Sequence, residues 1–231
     1  SLGLVGSEMC IRDRGNTGNQ MGGWFNKEMN TADDYKGLKM RMPGLGGRTI
    51  GKLGATAVLM GGPDILTSLA SGAIDAAEWI CPVADLGLGM HQAAKFYYGP
   101  GWHEPSTLLD LSIDLKEWEG LDADTQGLMM EMAKAFNVDV FSRFQALNGP
   151  ALGKLLNEHG VQLKTFPDEL LIALGNAAGE VMEERGSIDS QTKAICNHIL
   201  SFRKNIMDWS TKGESEFARI RNLPFKFPDS V

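Results

Sequence analysis

LKMRMPGLGGRTIGKLGATAVLMGGPDILTSLASGAIDAAEW, residues 38–79, decides the fold. Leu38 to Met42 alternates apolar and basic residues, as a half-buried strand does. Gly44, Gly46 and Gly47 break that strand, and Arg48 to Leu53 reads as a short helix ended by Gly54. Thr56 to Met60 is a second strand. Gly61-Gly62-Pro63 turns into a helix with Ile65, Leu66 and Leu69 on one face and Gly72 as its stop. Ala73 to Trp79 is a third strand. Strands alternating with helices imply an α/β fold with a largely parallel sheet, whose ligands gather at the carboxyl ends of the strands.

The pattern extends outward on both sides. Thr31 with Asp33 and Asp34 reads as a capped helical turn. Pro82 to Lys95 is expected to be helical and Phe96 to Tyr98 a short strand. From Asp122 the chain becomes helical, with Leu128, Met132, Phe136, Val140, Phe144 and Leu147 on one apolar face. Val161 to Phe166 is a lone strand candidate, and Pro167 opens a long helical region. There Ile188, Thr192, Ile195, Ile199, Phe202, Ile206 and Trp209 follow one another at spacings of 4, 3, 4, 3, 4 and 3. This heptad-like stripe fits either a helix packed on its own domain or a dimer contact. Leu223 to Phe227 reads as an extended tail.

The 231 residues are 43% hydrophobic, enough for one large domain or two small ones. A net charge of -7 disfavours general nucleic-acid binding, because an acidic surface repels polyphosphate. No stretch of about 18 apolar residues could span a membrane. Residues 1–14, SLGLVGSEMCIRDR, lack the basic and apolar regions of a secretory signal and suggest neither helix nor strand. They are expected to be a non-native tail, with residues 15–115 an α/β ligand-binding region and residues 116–231 mainly helical. Cys10, Cys81 and Cys196 have no CxxC spacing, so no zinc or thioredoxin motif is present.

Enzymatic constellations are missing. Gly46 to Lys52 nearly spells a phosphate-binding loop, but Leu53 stands where magnesium needs a hydroxyl. His91, His103, His159 and His198 show no metal-ligand spacing, and no GxSxG elbow occurs. Three clusters remain. Gly18-Asn19-Gln20-Met21-Gly22-Gly23-Trp24 gathers amides, glycines and an aromatic in one loop, which fits close approach to a ligand or an ordinary turn. Arg41 ends a strand just before Pro43-Gly44, placing a planar fork of donors where a sheet binds ligands. Glu78 and Trp79 end an otherwise apolar strand, where a buried carboxylate needs a partner.

In this order and spacing the clusters resemble the DctP-type solute receptors of TRAP transporters. The match opens with Tyr35 to Gly44 (YKGLKMRMPG), continues with Leu53-Gly54-Ala55 and ends with Leu69 to Glu78 (LASGAIDAAE). It covers Gly15 to Phe227 as an ensemble, and the Gln20 loop and the Glu78-Trp79 pair look most like the subgroup that binds 2-oxo and 2-hydroxy acids. The resemblance implies a periplasmic binding protein-like fold of two α/β domains with a long helix, the first domain largely missing here. It implies a periplasmic, non-enzymatic receptor that works with TRAP membrane permease subunits, and the stripe on the long helix leaves a homodimer contact open beside packing on its own domain. Arg41 would clamp the solute carboxylate, with Asn19, Gln20, Trp79 and Trp102 around the solute. Gln20, Glu78, the Trp79 carbonyl and Glu104 would hold a cation. All-oxygen ligands suit sodium or calcium. Arg41, Glu78, a monocarboxylate and sodium sum to zero charge, whereas an ionised Glu104 calls for calcium. An enzyme acting on 2-oxo acids and an interaction protein built on the heptad stripe are the rival readings.

Overall fold

The computed structural model describes residues 9–226. The chain divides into two compact units, Ser1–Ala178 and Gly179–Val231. The first carries a six-stranded sheet formed by β2 (Gly23–Phe25), β3 (Lys39–Arg41), β4 (Thr56–Val58), β5 (Ala76–Ala77), β6 (Phe96–Gly99) and β8 (Gln162–Thr165). Its strand order is β4-β3-β5-β2-β6-β8. The neighbours β3–β4, β3–β5 and β6–β8 run parallel, and β2 runs antiparallel to β5 and β6.

Period-two alternation puts the two faces of this sheet into two cores. Phe25, Met40, Ala76 and Tyr98 point to one side, with Ile50, Leu170 and Leu174 packed on them. Trp24, Ala77 and Tyr97 point to the other, with Ile65, Leu69, Met90 and Leu155. The covering side chains come from α1 (Gly44–Lys52) and α6 (Asp168–Gly186) on the first face. On the second they come from α2 (Gly62–Ala70), the short turn Met90–Gln92 and α5 (Ala123–Asn157). The result is the helix–sheet–helix layering expected of alternating strands and helices.

Several local expectations change. The helix expected at Arg48 begins at Gly44, so Gly46 and Gly47 lie inside α1. Bare glycine is needed there: a Cβ on Gly47 would stand 2.7 Å from the Met42 carbonyl oxygen, where the helix starts against its own strand. The strand expected over Ala73 to Trp79 is only two residues of ladder. The helix over Pro82 to Lys95 stops as α3 (Pro82–Leu88), because Gly89 adopts φ 74°, a left-handed cap. Part of the supposed ligand loop is the central strand β2, with Trp24 fully buried and stacked on Tyr97 at a centroid distance of 4.1 Å. An antiparallel central strand of three residues gives no legible periodicity.

Met9–Asn16 forms β1, paired antiparallel with β7 (Leu108–Asp114) in a separate two-stranded sheet. The expectation of no strand in residues 1–14 is thereby corrected for Met9 onward. Residues 1–8, and Phe227 of the expected tail, lie outside the described residues. After α4 (Leu115–Glu119), Asp122 caps α5, accepting from the Thr125 amide at 2.8 Å. Along the predicted apolar face of α5, Val140 is buried but Leu128 and Met132 are 61% and 60% exposed.

In the second unit the end of α6 is followed by α7 (Ser190–Ser210), capped by Asp189 through the Thr192 amide at 2.7 Å. A π-helical turn at Thr211–Ser215 leads into α8 (Glu216–Arg221). Cys196 is buried, while Ile188, Ile195, Ile199, Phe202 and Trp209 of the stripe are exposed within the chain.

Candidate functional site

Sheet topology brings the expected residues to one edge. Arg41 is the last residue of β3, and Glu78 follows β5 directly. Trp102 to Glu104 follow β6. Because β2 runs the other way, Gln20 just before it lies at the same edge. Two hydrogen bonds fasten the loops together there: the Gly101 amide donates to the Gln20 carbonyl at 2.8 Å, and the Gln20 amide to the Pro105 carbonyl at 3.2 Å. Gly101 is required for this approach, since a Cβ there would lie 2.9 Å from the Gln20 carbonyl oxygen.

Arg41 and Glu78 form a buried ion pair through Nη1 and Oε1. The same Nη1 donates to the Glu78 carbonyl at 2.9 Å, and Nε to the Met60 carbonyl at 3.3 Å. The guanidinium carbon lies 5.0 Å from the centre of the Trp79 ring, within cation–π range. A Cβ on Gly62 would meet that ring at 2.9 Å, so α2 starts with a glycine to make room for it. The direct Arg41–Glu78 pair satisfies both charges, as a buried carboxylate and guanidinium require.

Gln20 is buried, and its side-chain amide donates to Thr17 Oγ1 at 3.2 Å and to Thr107 Oγ1. Its Oε1, in contrast, has no hydrogen-bond partner among the described residues. Thr107 in turn donates to Glu104 Oε1 at 2.8 Å. Glu78, His103 and Glu104 each offer a ligand atom, and these atoms lie within 4.8 Å of one another. An orphaned buried carbonyl oxygen and two carboxylates fit a hard cation.

Of the remaining candidates, Asn19 is exposed beside Gln20 in the chain. Trp102 packs against the core that contains Tyr35 and Met42. Sequence reasoning missed His103, whose Nε2 lies 3.2 Å from Glu78 Oε2. The only signal was its place next to Glu104 in the segment after β6. It also missed Asp85, which anchors the loop after β5 from below. Asp85 accepts from the Ile80 amide at 3.1 Å, from Trp24 Nε1 at 2.9 Å and from Tyr97 Oη at 2.7 Å.

Burial raises the Asp85 carboxyl from 3.8 to about 6, against the lowering effect of its three donors. The folded state therefore holds this proton more tightly than the unfolded chain. Between those two values the group adds stability as pH falls. The stability difference between the wild-type protein and an Asp85→Asn variant is expected to be larger at pH 5 than at pH 7. Denaturant unfolding at both values measures it, and an equal difference would remove Asp85 as a titrating group.

Fold and site together are those of an α/β binding domain with its candidate ligand groups at one sheet edge. Residues 12–187 match bacterial extracellular solute-binding protein, family 7 (DctP), and the chain belongs to that family. It is 39% identical over 203 residues to a monocarboxylate 2-oxoacid-binding periplasmic protein of Nostoc sp., covering 88% of this chain and 56% of that protein. A TRAP periplasmic solute-binding protein from Pseudoalteromonas atlantica, solved with bound sodium and pyruvate, superposes with a TM-score of 0.87. Its sequence is 34% identical, with 95% of this chain and 65% of that one covered. A TRAP solute-binding protein from Bordetella bronchiseptica, a mixed-occupancy dimer with calcium and picolinate in one site, gives 0.88 at 32% identity. There 93% of this chain and 63% of that one are covered. The chain thus spans less than two thirds of the length of each of these proteins.

Proposed function

We propose that this chain carries the carboxylate- and cation-binding half of a periplasmic TRAP receptor for a 2-oxo or 2-hydroxy monocarboxylate. The observation that carries the reading is the buried Arg41–Glu78 pair, together with a buried Gln20 Oε1 that has no hydrogen-bond partner among the described residues. Gln20 Oε1, Glu78, the Trp79 carbonyl and Glu104 would hold sodium or calcium. Such a cation supplies a positive pole for the solute's second oxygen. Neutralising Glu78 in this way releases the Arg41 fork, which then takes the solute carboxylate through two parallel hydrogen bonds. The Trp79 ring, 5.0 Å from the guanidinium carbon, adds a cation–π contact, and Asp85 holds the loop that presents Glu78 and Trp79. In this reading the acid is captured and released unchanged.

Sodium and pyruvate in the Pseudoalteromonas protein, and calcium in the Bordetella one, support this choice of ions and solute class. Delivery to TRAP membrane permease subunits and a periplasmic location follow from the same reading. Calorimetry of the full-length protein with pyruvate, in sodium- and calcium-free buffer and after each ion is restored, tests it. Pyruvate affinity should rise at least about tenfold with the ion, the size of a modest coupling free energy. Affinity indifferent to both ions would end the bridging-cation reading, and turnover of pyruvate would end the receptor reading.

The exposed stripe on α7 supports self-association. Ile199 and Ile206, both on that stripe, are expected to form part of a dimer contact, as the dimer of the Bordetella relative encourages. Ile199→Glu with Ile206→Glu should give a folded monomer by light scattering. A full-length wild-type protein already monomeric at high concentration would reject the contact.

A further inference from the structure

Glu78 is held from two sides. Arg41 pairs with Oε1, and His103 Nε2 lies 3.2 Å from Oε2 with its side chain 2% exposed. The imidazole is fixed by packing. It meets Trp102 edge-on at a centroid distance of 5.4 Å, and its Cβ lies so near Gly46 of α1 that a Cβ there would be 3.2 Å away. Its Nδ1 is buried without a hydrogen-bond partner among the described residues. A carboxylate only accepts hydrogen bonds, so Nε2 is the ring nitrogen that donates to Glu78.

The geometry poses a problem for solute capture. When Arg41 turns its fork to a solute, Oε1 of an almost wholly buried carboxylate loses its partner. The bond to His103 does not depend on Arg41. We propose that His103 is the positioning residue that keeps Glu78 aimed as a cation ligand while Arg41 passes from Glu78 to the solute. This rests on the cation-bridged reading above. His103 then governs cation affinity directly, and solute affinity only through the cation.

The test uses full-length protein and three titrations: calcium alone, pyruvate at saturating calcium, and pyruvate at sub-saturating calcium. Removing a partner that orients a metal ligand typically weakens metal binding about 10–100-fold. His103→Ala should weaken calcium binding by at least about tenfold. His103→Gln, whose side-chain amide restores a neutral donor, should recover most of it. At saturating calcium, pyruvate affinity should stay near the wild-type value in both variants. If the alanine variant does not fold, His103→Asn takes its place, because its shorter amide cannot reach Oε2 and should bind calcium more weakly than the glutamine variant. Unchanged calcium affinity overturns the proposal, as does a glutamine variant no better than alanine or asparagine. A pyruvate defect that persists at saturating calcium also overturns it, placing His103 on the solute instead. Failure of the cation reading itself is distinguishable, since wild-type protein would then show no effect of calcium on pyruvate.

Discussion

Arg41→Lys should lower pyruvate affinity about tenfold or more while leaving the fold intact. The expectation comes from how the guanidinium is held. Nε reaches the Met60 carbonyl and Nη1 the Glu78 carbonyl, while the guanidinium carbon lies over the Trp79 ring. These contacts come from strand ends on either side of β3, so the fork is fixed in plane before any solute arrives. Lysine brings the same charge as a single point, and it cannot keep two backbone carbonyls and a bidentate carboxylate at once. Loss of a charge-assisted hydrogen bond costs about 1.5–3 kcal/mol, and each 1.4 kcal/mol is about tenfold in affinity. Calorimetry with circular dichroism as the folding control reads the result. Affinity within about twofold of wild type would remove Arg41 from the carboxylate contact.

Glu78→Gln should act twice, first on the ligand-free protein. Glu78 is 1% exposed, so the amide leaves the Arg41 charge buried and uncompensated. Removing one partner of a buried ion pair costs roughly 3–5 kcal/mol. Glutamine still accepts a hydrogen bond from Arg41, which places the effect at the low end of that range. The thermal midpoint should fall by several degrees. The second effect is on binding. A neutral ligand weakens the cation, and because linkage between two bound species is reciprocal, pyruvate weakens with it. The diagnostic outcome is a joint loss in calcium and pyruvate titrations. A drop in stability with both affinities intact would make Glu78 only the structural partner of Arg41.

By itself the sequence determined the local elements and the chemistry of the candidates. The period-two pattern around Met40 and the Gly-Pro start at Gly62 and Pro63 dictated β3 and α2, because pleat alternation and proline at a helix start are properties of neighbouring residues. The same holds for the Thr31 cap, closed by Asp34 through a capping box. Arg41 and Glu78 were legible as candidates because charged groups at the ends of apolar strands need a reason to be there, Gln20 because its loop gathers amides and glycines, and Glu104 only through the resemblance to the receptor family. Tertiary structure alone decided three things. It made Trp24 a core residue, since its strand is antiparallel and its partners Tyr97 and Asp85 are 73 and 61 residues away in the chain. It paired β1 with β7 across about a hundred residues of chain, a long-range register that no short window contains. It also joined His103 to Glu78. Four isolated histidines look alike in a sequence, and only the meeting of the segment after β6 with the end of β5 sets one of them against a buried carboxylate.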